Sequence, residues 1–131
     1  MNYALLVLAS PASGSSNLTA ARFAHELVKQ GHTLSRVFFH DAGTETGLIS
    51  RVIPQDETDA RALWRELAAQ HNTELVLCIA SSLRHGVLDT TEAERYERTN
   101  TIDPAFVIGG LGLLVEASET ADRLITFGAN A

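Results

Sequence analysis

The chain has 131 residues, of which 45% are hydrophobic, and its 16 acidic and 10 basic residues give a formal net charge of -6. This length is typical of one domain, and the composition is too apolar for a disordered chain. The acidic balance, without a basic stripe, argues against direct binding to a nucleic-acid backbone, so any positive charge for that purpose would come from a partner.

Neither a secretory signal nor a membrane span is expected. The first three residues lack a basic segment, and the apolar run 4–9 is too short for the hydrophobic part of a signal peptide. No apolar stretch approaches the roughly 20 residues that a transmembrane helix needs. The single cysteine, Cys78, suits a reducing compartment, so we expect a cytoplasmic protein.

The first part of the chain predicts a strand, a helix and a second strand. Residues 3–9 are a continuous apolar run, typical of a strand buried on both faces. A loop of small residues follows at 10–16, and Ser16 or Asn17 caps a helix that ends near Gly31. The apolar stripe of this helix comprises Leu18, Ala21, Ala24, Leu27 and Val28. The second strand is predicted at 34–39.

The rest of the chain continues the alternation. Residues 40–54 are a polar loop without a clear period, and a second helix starts at Asp56 or Thr58. Its apolar stripe comprises Ala60, Leu63, Trp64, Leu67 and Ala68. The later elements are a strand at 75–80, a short helix at 91–98 with a Glu94–Arg98 pair, a strand at 106–108, a helix at 113–121 and a strand at 123–127.

This order of elements predicts an α/β fold. Alternating strands and helices favour a three-layer domain with about five mostly parallel strands and helices on both faces, in a flavodoxin-like topology. We expect one domain over residues 1–131, because the sequence contains no repeat, no low-complexity tract and no second domain.

Cys78 is the candidate nucleophile. It lies near the carboxyl end of the predicted strand 75–80, where α/β proteins place their chemistry, and a polar turn follows at 81–86. Arg84 and His85 in that turn would stabilise a thiolate, as would the dipole of a helix beginning after Cys78. Internal disulfide chemistry is excluded because no second cysteine exists. The alternative is an inert, buried cysteine followed by two solvated basic residues.

Two glycine- and serine-rich segments are weaker candidates for anion binding. The loop 10–16 lies where phosphates bind in nucleotide-binding folds, but it lacks a Gly-Lys-Ser/Thr motif and contains only Gly14. The segment 109–112 suggests a dinucleotide fingerprint, but position 115 is valine. A small-residue turn and a tight backbone approach beside Cys78 explain them better. They keep open the hypothesis of a non-catalytic module that binds a small anion or nucleotide.

Several segments together carry a family resemblance. The most specific comprises residues 78–87, followed by Asp89 and 91–93. Later matches are 110–112, Leu114, 116–118 and 122–123, and earlier ones include 9–14, 37–39 and Trp64. Nearly end to end, the chain resembles the TusD/DsrE family of sulfur-relay proteins. One departure is His85, where the family pattern has a second arginine, so the positive charge of this turn depends on pH.

The resemblance implies a DsrE-like fold and a sulfurtransferase that carries a persulfide on Cys78. Such proteins accept sulfur from a TusA-like donor and pass it to a TusE-like acceptor, toward 2-thiouridine at the tRNA wobble position. They work in a heterohexamer with TusB-like and TusC-like subunits. No cofactor and no metal is implied, and the five histidines show no metal-ligand spacing. The related DsrE proteins act instead in dissimilatory sulfur oxidation.

Four residues are expected to support the sulfur because they follow Cys78 closely in the sequence. Arg84 and His85 would stabilise the anion, and the backbone N–H groups of Ser81 and Ser82 would donate hydrogen bonds to it. Transfer by thiolate attack on a persulfide needs an accessible sulfur of low pKa.

Overall fold

The structure is a computed structural model that describes residues 1–129. One sheet contains five strands, and every neighbouring pair runs parallel in the order β4-β3-β2-β1-β5. The strands are β1 (Asn2–Val7), β2 (Thr33–Phe39), β3 (Glu74–Cys78), β4 (Val107–Gly109) and β5 (Arg123–Phe127). The predicted five-stranded parallel sheet is therefore confirmed. The predicted flavodoxin-like topology is wrong, because β1 lies between β2 and β5 here, whereas the flavodoxin order 2-1-3-4-5 places it between β2 and β3.

Helices cover both faces of the sheet, as predicted. They are α1 (Ser16–Lys29), α2 (Ala60–His71), α3 (Ile79–Arg84), α4 (Thr90–Arg95) and α5 (Leu111–Thr120). A 3-10 helix at Asp41–Gly47 follows β2. Leucine, alanine and tryptophan side chains of α1 and α2 fill the larger apolar cluster, and α5 packs on the opposite face through Leu113 and Leu114.

The strand pattern decides which face each side chain joins. Successive side chains of a strand point to opposite faces of the sheet. In β3, Leu75 and Leu77 belong to the cluster under α1 and α2, whereas Val76 and Cys78 belong to the cluster under α5. The alternation therefore places the Cys78 side chain on the α5 face.

The third strand is shorter than predicted, and the difference matters for the site. The apolar run 75–80 predicts a strand to its end, but β3 stops at Cys78 and α3 begins at Ile79. Ile79 and Ala80 are exposed, so these apolar residues do not continue a buried strand. An apolar run alone does not distinguish the end of a strand from the start of a helix.

Other boundaries shift for identifiable local reasons. The predicted loop 40–54 contains the 3-10 helix. The second helix begins after neither Asp56 nor Thr58, because the Asp59 side chain accepts a hydrogen bond from the Ala62 N–H at 3.3 Å and caps it there. The helix α5 begins at Leu111 instead of 113.

Two predicted polar contacts are replaced by others. Asn17 does not cap α1, whose N-cap is Ser15, because its buried amide donates to the Ala9 carbonyl at 2.9 Å and to Thr46 Oγ1 at 2.8 Å. The helix α4 ends at Arg95, short of residue 98. Arg98 lies beyond that end and donates to the carbonyls of residues 96 and 97, so the predicted Glu94–Arg98 pair does not form.

Candidate functional site: the Cys78 junction

Cys78 lies at the junction between β3 and α3. It is the last residue of the strand and the N-cap of the helix, with extended backbone angles. Cys78 is also the register partner of Gly109 in β4. The structure therefore confirms that Cys78 lies at the carboxyl edge of the sheet and that the segment 109–112 lies beside it.

The thiol is enclosed by apolar side chains. Cys78 is 2% exposed and forms a cluster with Phe38 and Val76. Leu113 and Leu114 of α5 pack against this cluster, together with a leucine of β1. A reaction of this thiol with another molecule therefore requires a local opening of the structure.

Ser81 and Ser82 are both buried on the inner side of α3. The Ser81 hydroxyl accepts a hydrogen bond from the Asp41 N–H at 2.9 Å and lies 3.4 Å from His40 Nδ1. The Ser82 hydroxyl has no hydrogen-bond partner within residues 1–129. Ser81 thus joins α3 to the start of the 3-10 helix.

His85 is placed at the far end of α3 from the cysteine. It is the C-cap of a helix whose N-cap is Cys78, and a rise of 1.5 Å per residue over these seven positions separates the two by about 10 Å. Its imidazole meets two carboxylates instead, with Nδ1 2.8 Å from Glu45 Oε2 and Nε2 3.4 Å from Asp41 Oδ1. The structure brings His85 to the 3-10 helix and not to the sulfur.

Arg84 faces outward. It is exposed, and within the described part of the chain it makes no hydrogen bond and no ion pair. Its guanidinium therefore remains available for an anionic group of another molecule.

Glu45 is a site residue that the sequence does not single out. Besides His85, its carboxylate accepts a hydrogen bond from Ser10 Oγ at 2.7 Å and one from Arg51 Nη2 at 3.3 Å. Partial burial works to raise its pKa, but the hydrogen bonds from Ser10 and His85 and the charges of His85 and Arg51 together hold the pKa of Glu45 below its ordinary value. These residues, with Asp41, are called the Glu45 cluster below.

No local signal reveals Glu45, because it lies in a segment without periodicity. Its partners Ser10 and His85 are 35 and 40 positions away in the sequence. The alternation of strands and helices indicates that residues after β1, β2 and β3 meet at one edge of the sheet. That rule is the only signal that points to this cluster.

Hydrogen bonds attach the loop 10–16 to neighbouring segments. Ser10 donates to Glu45, and Ser16 Oγ donates to the Gly128 carbonyl at 2.8 Å. Gly14 has a positive φ of 70°, which agrees with the prediction of a small-residue turn. The Glu45 carboxylate beside Ser10 makes the loop 10–16 unfavourable for a second anion such as a phosphate.

Within residues 1–129, no group of three or more histidine, cysteine or acidic side chains is arranged to hold a metal ion. Over the same residues, none of the helices has the length and apolar character needed to cross a membrane.

Sequence comparison identifies the family. The model of the DsrE/DsrF-like family matches residues 1–127. The chain belongs to the DsrE/DsrF-like family. Within it, the chain is similar to the sulfurtransferase TusD of Salmonella typhi, with 40% identity over 97% of this chain and 100% of the relative. The TusD protein of Salmonella paratyphi B is 39% identical over the same shares.

A solved structure supports the same fold. The ychN protein from E. coli superposes with a TM-score of 0.79 at 22% identity, over 97% of this DsrE/DsrF-like chain and 99% of that one. The superposition confirms the predicted fold, and the family model and the TusD relatives confirm the predicted TusD/DsrE membership. The predicted sulfurtransferase class is confirmed by relatives that carry that name.

Proposed function

We propose that this chain is a sulfur-carrier subunit that holds a persulfide on Cys78. It accepts the sulfur from a TusA-like donor and passes it to a TusE-like acceptor, toward 2-thiouridine at the tRNA wobble position, in the cytoplasm. The observation that carries the proposal is the position of the single cysteine. Cys78 ends an inner strand at the carboxyl edge of the sheet, in a family whose relatives are named sulfurtransferases.

The chemistry consists of two thiol exchanges. The Cys78 thiolate attacks the outer sulfur of the donor persulfide, the donor thiolate leaves, and Cys78 becomes a persulfide. A thiolate of the acceptor then attacks that outer sulfur, and the Cys78 thiolate leaves. Each step forms one S–S bond and breaks one, so no external oxidant or reductant is consumed. One cysteine per chain is sufficient because both exchanges are with other proteins.

Assembly with TusB-like and TusC-like subunits in a heterohexamer is part of the proposal. Several large apolar side chains are exposed on the elements next to Cys78, and they include Ile79 and Leu83 of α3, Val107 of β4, and Leu111 and Val115 of α5. Exposed apolar surface on neighbouring elements is typical of protein–protein interfaces. The acidic net charge also agrees with a chain that transfers sulfur to another protein and does not bind tRNA directly.

A DsrE-like carrier in dissimilatory sulfur oxidation is the second candidate, because the chain belongs to the DsrE/DsrF-like family. The chemistry at Cys78 would be the same. Neighbouring genes distinguish the two: sulfite reductase genes favour oxidation, and genes for TusB-, TusC- and TusE-like proteins without them favour tRNA thiolation.

Reconstitution of the relay tests the proposal. A TusA-like donor loaded with sulfur is mixed with the TusE-like acceptor, the paralogous subunits and either wild type or Cys78→Ser. We expect a persulfide on the acceptor in the reaction that contains wild type and none in the reaction that contains Cys78→Ser. Equal acceptor loading with Cys78→Ser would show that sulfur bypasses Cys78.

A further inference from the structure

The burial of Cys78 conflicts with its proposed reaction, and the conflict points to a conformational requirement. Cys78 is 2% exposed, whereas thiol exchange needs a second sulfur to approach it directly. Cys78 is both the last residue of β3 and the N-cap of α3, so the backbone that bears the thiol continues directly into that helix. The contacts that hold α3 in place are therefore the ones to consider for access to the thiol.

The helix α3 is too short to be stable on its own. It contains six residues, and an isolated helix of that length is unstable in water. Its outer residues Ile79, Ala80, Leu83 and Arg84 are exposed. The contacts that keep α3 in place are therefore made by its inner face and by its two ends.

The polar contacts of α3 are made with the 3-10 helix Asp41–Gly47. Ser81 in the middle of α3 accepts from the Asp41 N–H at 2.9 Å, and His85 at its end lies 2.8 Å from Glu45 and 3.4 Å from Asp41. The His85–Glu45 contact is the shortest of the three. It joins the carboxyl end of α3 directly to the 3-10 helix.

The 3-10 helix forms a fixed base for these contacts. A side chain at Gly43 would collide with the Val7 carbonyl of β1, and one at Gly47 would collide with Leu77 of β3. The backbone of the 3-10 helix is thus packed closely on two strands. Ser10 and Arg51 hold the Glu45 carboxylate from its other side.

We propose that Glu45 and His85 are positioning residues that keep α3 seated on the 3-10 helix and so set how often Cys78 becomes accessible. The inference rests on the proposed role of Cys78 as the sulfur carrier. While the pair is formed, the thiol stays among Phe38 and Val76. When it breaks, α3 loosens at its carboxyl end and the Cys78 junction opens without unfolding of the sheet.

Native-state alkylation of Cys78 tests this pair without needing the relay partners. Iodoacetamide labelling is followed by intact mass for wild type, His85→Ala, Glu45→Gln, His85→Arg and His25→Ala. Glu45→Gln keeps the shape of the side chain, which guards against a His85→Ala variant that fails to fold. His85→Arg replaces the imidazole with a guanidinium, whose several N–H groups suit hydrogen bonds to two carboxylates.

His25→Ala is the matched control. His25 is a partly buried histidine that contacts the Leu63 carbonyl at 2.8 Å and lies 3.8 Å from Glu66, between α1 and α2 on the opposite face of the sheet. It therefore loses a similar set of contacts far from Cys78. A general loss of stability would accelerate labelling in this variant as well.

We expect slow labelling of wild type relative to the urea-unfolded chain, and about tenfold faster labelling of His85→Ala, which corresponds to about 1.4 kcal/mol in the opening equilibrium. Glu45→Gln should change the rate in the same direction, and His85→Arg and His25→Ala should stay within about twofold of wild type. The rates should be independent of low urea concentrations, as expected for local opening.

Equal rates in wild type and His85→Ala would overturn the proposal, as would equal acceleration in His25→Ala. A rate that rises with urea in parallel with global unfolding would overturn it too. Failure of the relay reconstitution leaves these labelling rates unchanged, so an error in the proposed function and an error in this inference are distinguishable.

Discussion

Cys78 and Gly109 lie opposite each other in the parallel ladder between β3 and β4. A side chain at Gly109 would meet Leu113 and, at 3.0 Å, Cγ1 of Val76, two residues of the apolar cluster around the thiol. The bare backbone at Gly109 therefore allows α5 to close over Cys78.

Substitution of Gly109 tests this packing. Gly109→Ala should force Leu113 to shift, lower the free energy of unfolding by about 1 kcal/mol and accelerate Cys78 alkylation. Gly112→Ala is the control, because nothing lies near its absent side chain and its φ is not positive, so it should be neutral or slightly stabilising. Urea unfolding measures the difference. Equal effects of the two variants would refute the packing role of Gly109.

Glu45 links stability to pH. Its pKa is held below 4.5 in the folded protein, so the ionised form stabilises the fold above pH 4.5, and this contribution is lost as pH falls through the lowered pKa. Glu45→Gln should therefore be less stable than wild type at neutral pH, and the difference should shrink on acidification. Urea unfolding midpoints of wild type and Glu45→Gln, measured at neutral pH and at acidic pH, give this difference. The exposed Glu57→Gln is the control. A gap that widens in acid would contradict the lowered pKa.

Arg84 offers a test of recognition apart from stability. Because the side chain is exposed and makes no polar contact within residues 1–129, Arg84→Ala should change the free energy of unfolding by no more than about 0.5 kcal/mol. We expect sulfur uptake from the donor to slow several-fold, about 3- to 10-fold, as is typical for the loss of one interfacial charge. Stopped-flow or quenched mass analysis measures the rate. An unchanged rate would assign Arg84 to the solvated surface alone.

The exposed apolar face of α5 tests the proposed assembly. Leu111→Glu should prevent co-elution with the TusB-like and TusC-like subunits but leave the isolated chain folded, because Leu111 is 54% exposed. Val52→Glu is the control, since Val52 is 88% exposed and belongs to the segment before α2, outside α5. Size-exclusion chromatography of the co-expressed subunits reads the outcome. Assembly that survives Leu111→Glu would exclude this face as the interface.

Much of the fold follows from local sequence patterns. The apolar runs predict the inner strands β1, β2 and β3, because strands of a covered parallel sheet are buried on both faces, whereas the edge strands β4 and β5 are partly exposed. The run 75–80 is less informative at its end, since Ile79 and Ala80 are apolar but lie exposed on α3. Side-chain capping by Asp59, which decides where α2 begins, is also weak in the sequence because several candidates precede the helix.

The candidate site is only half predictable. The position of Cys78 at a strand end follows from the apolar run and the polar turn after it. The placement of His85 does not, because closeness in the sequence suggests closeness to the sulfur, whereas α3 carries His85 about two turns away to Glu45. Contacts between segments 35 to 40 positions apart depend on the packing of the whole sheet edge.

The central claim is that Cys78 itself accepts the sulfur. The most direct test is the intact mass of wild type and Cys78→Ser after incubation with a cysteine desulfurase, cysteine, a loaded TusA-like donor and the paralogous subunits. We expect a gain of one sulfur atom on wild type only, reversed by reductant. The absence of any gain on wild type, with the donor shown to be loaded, or an equal gain on both proteins, would contradict it.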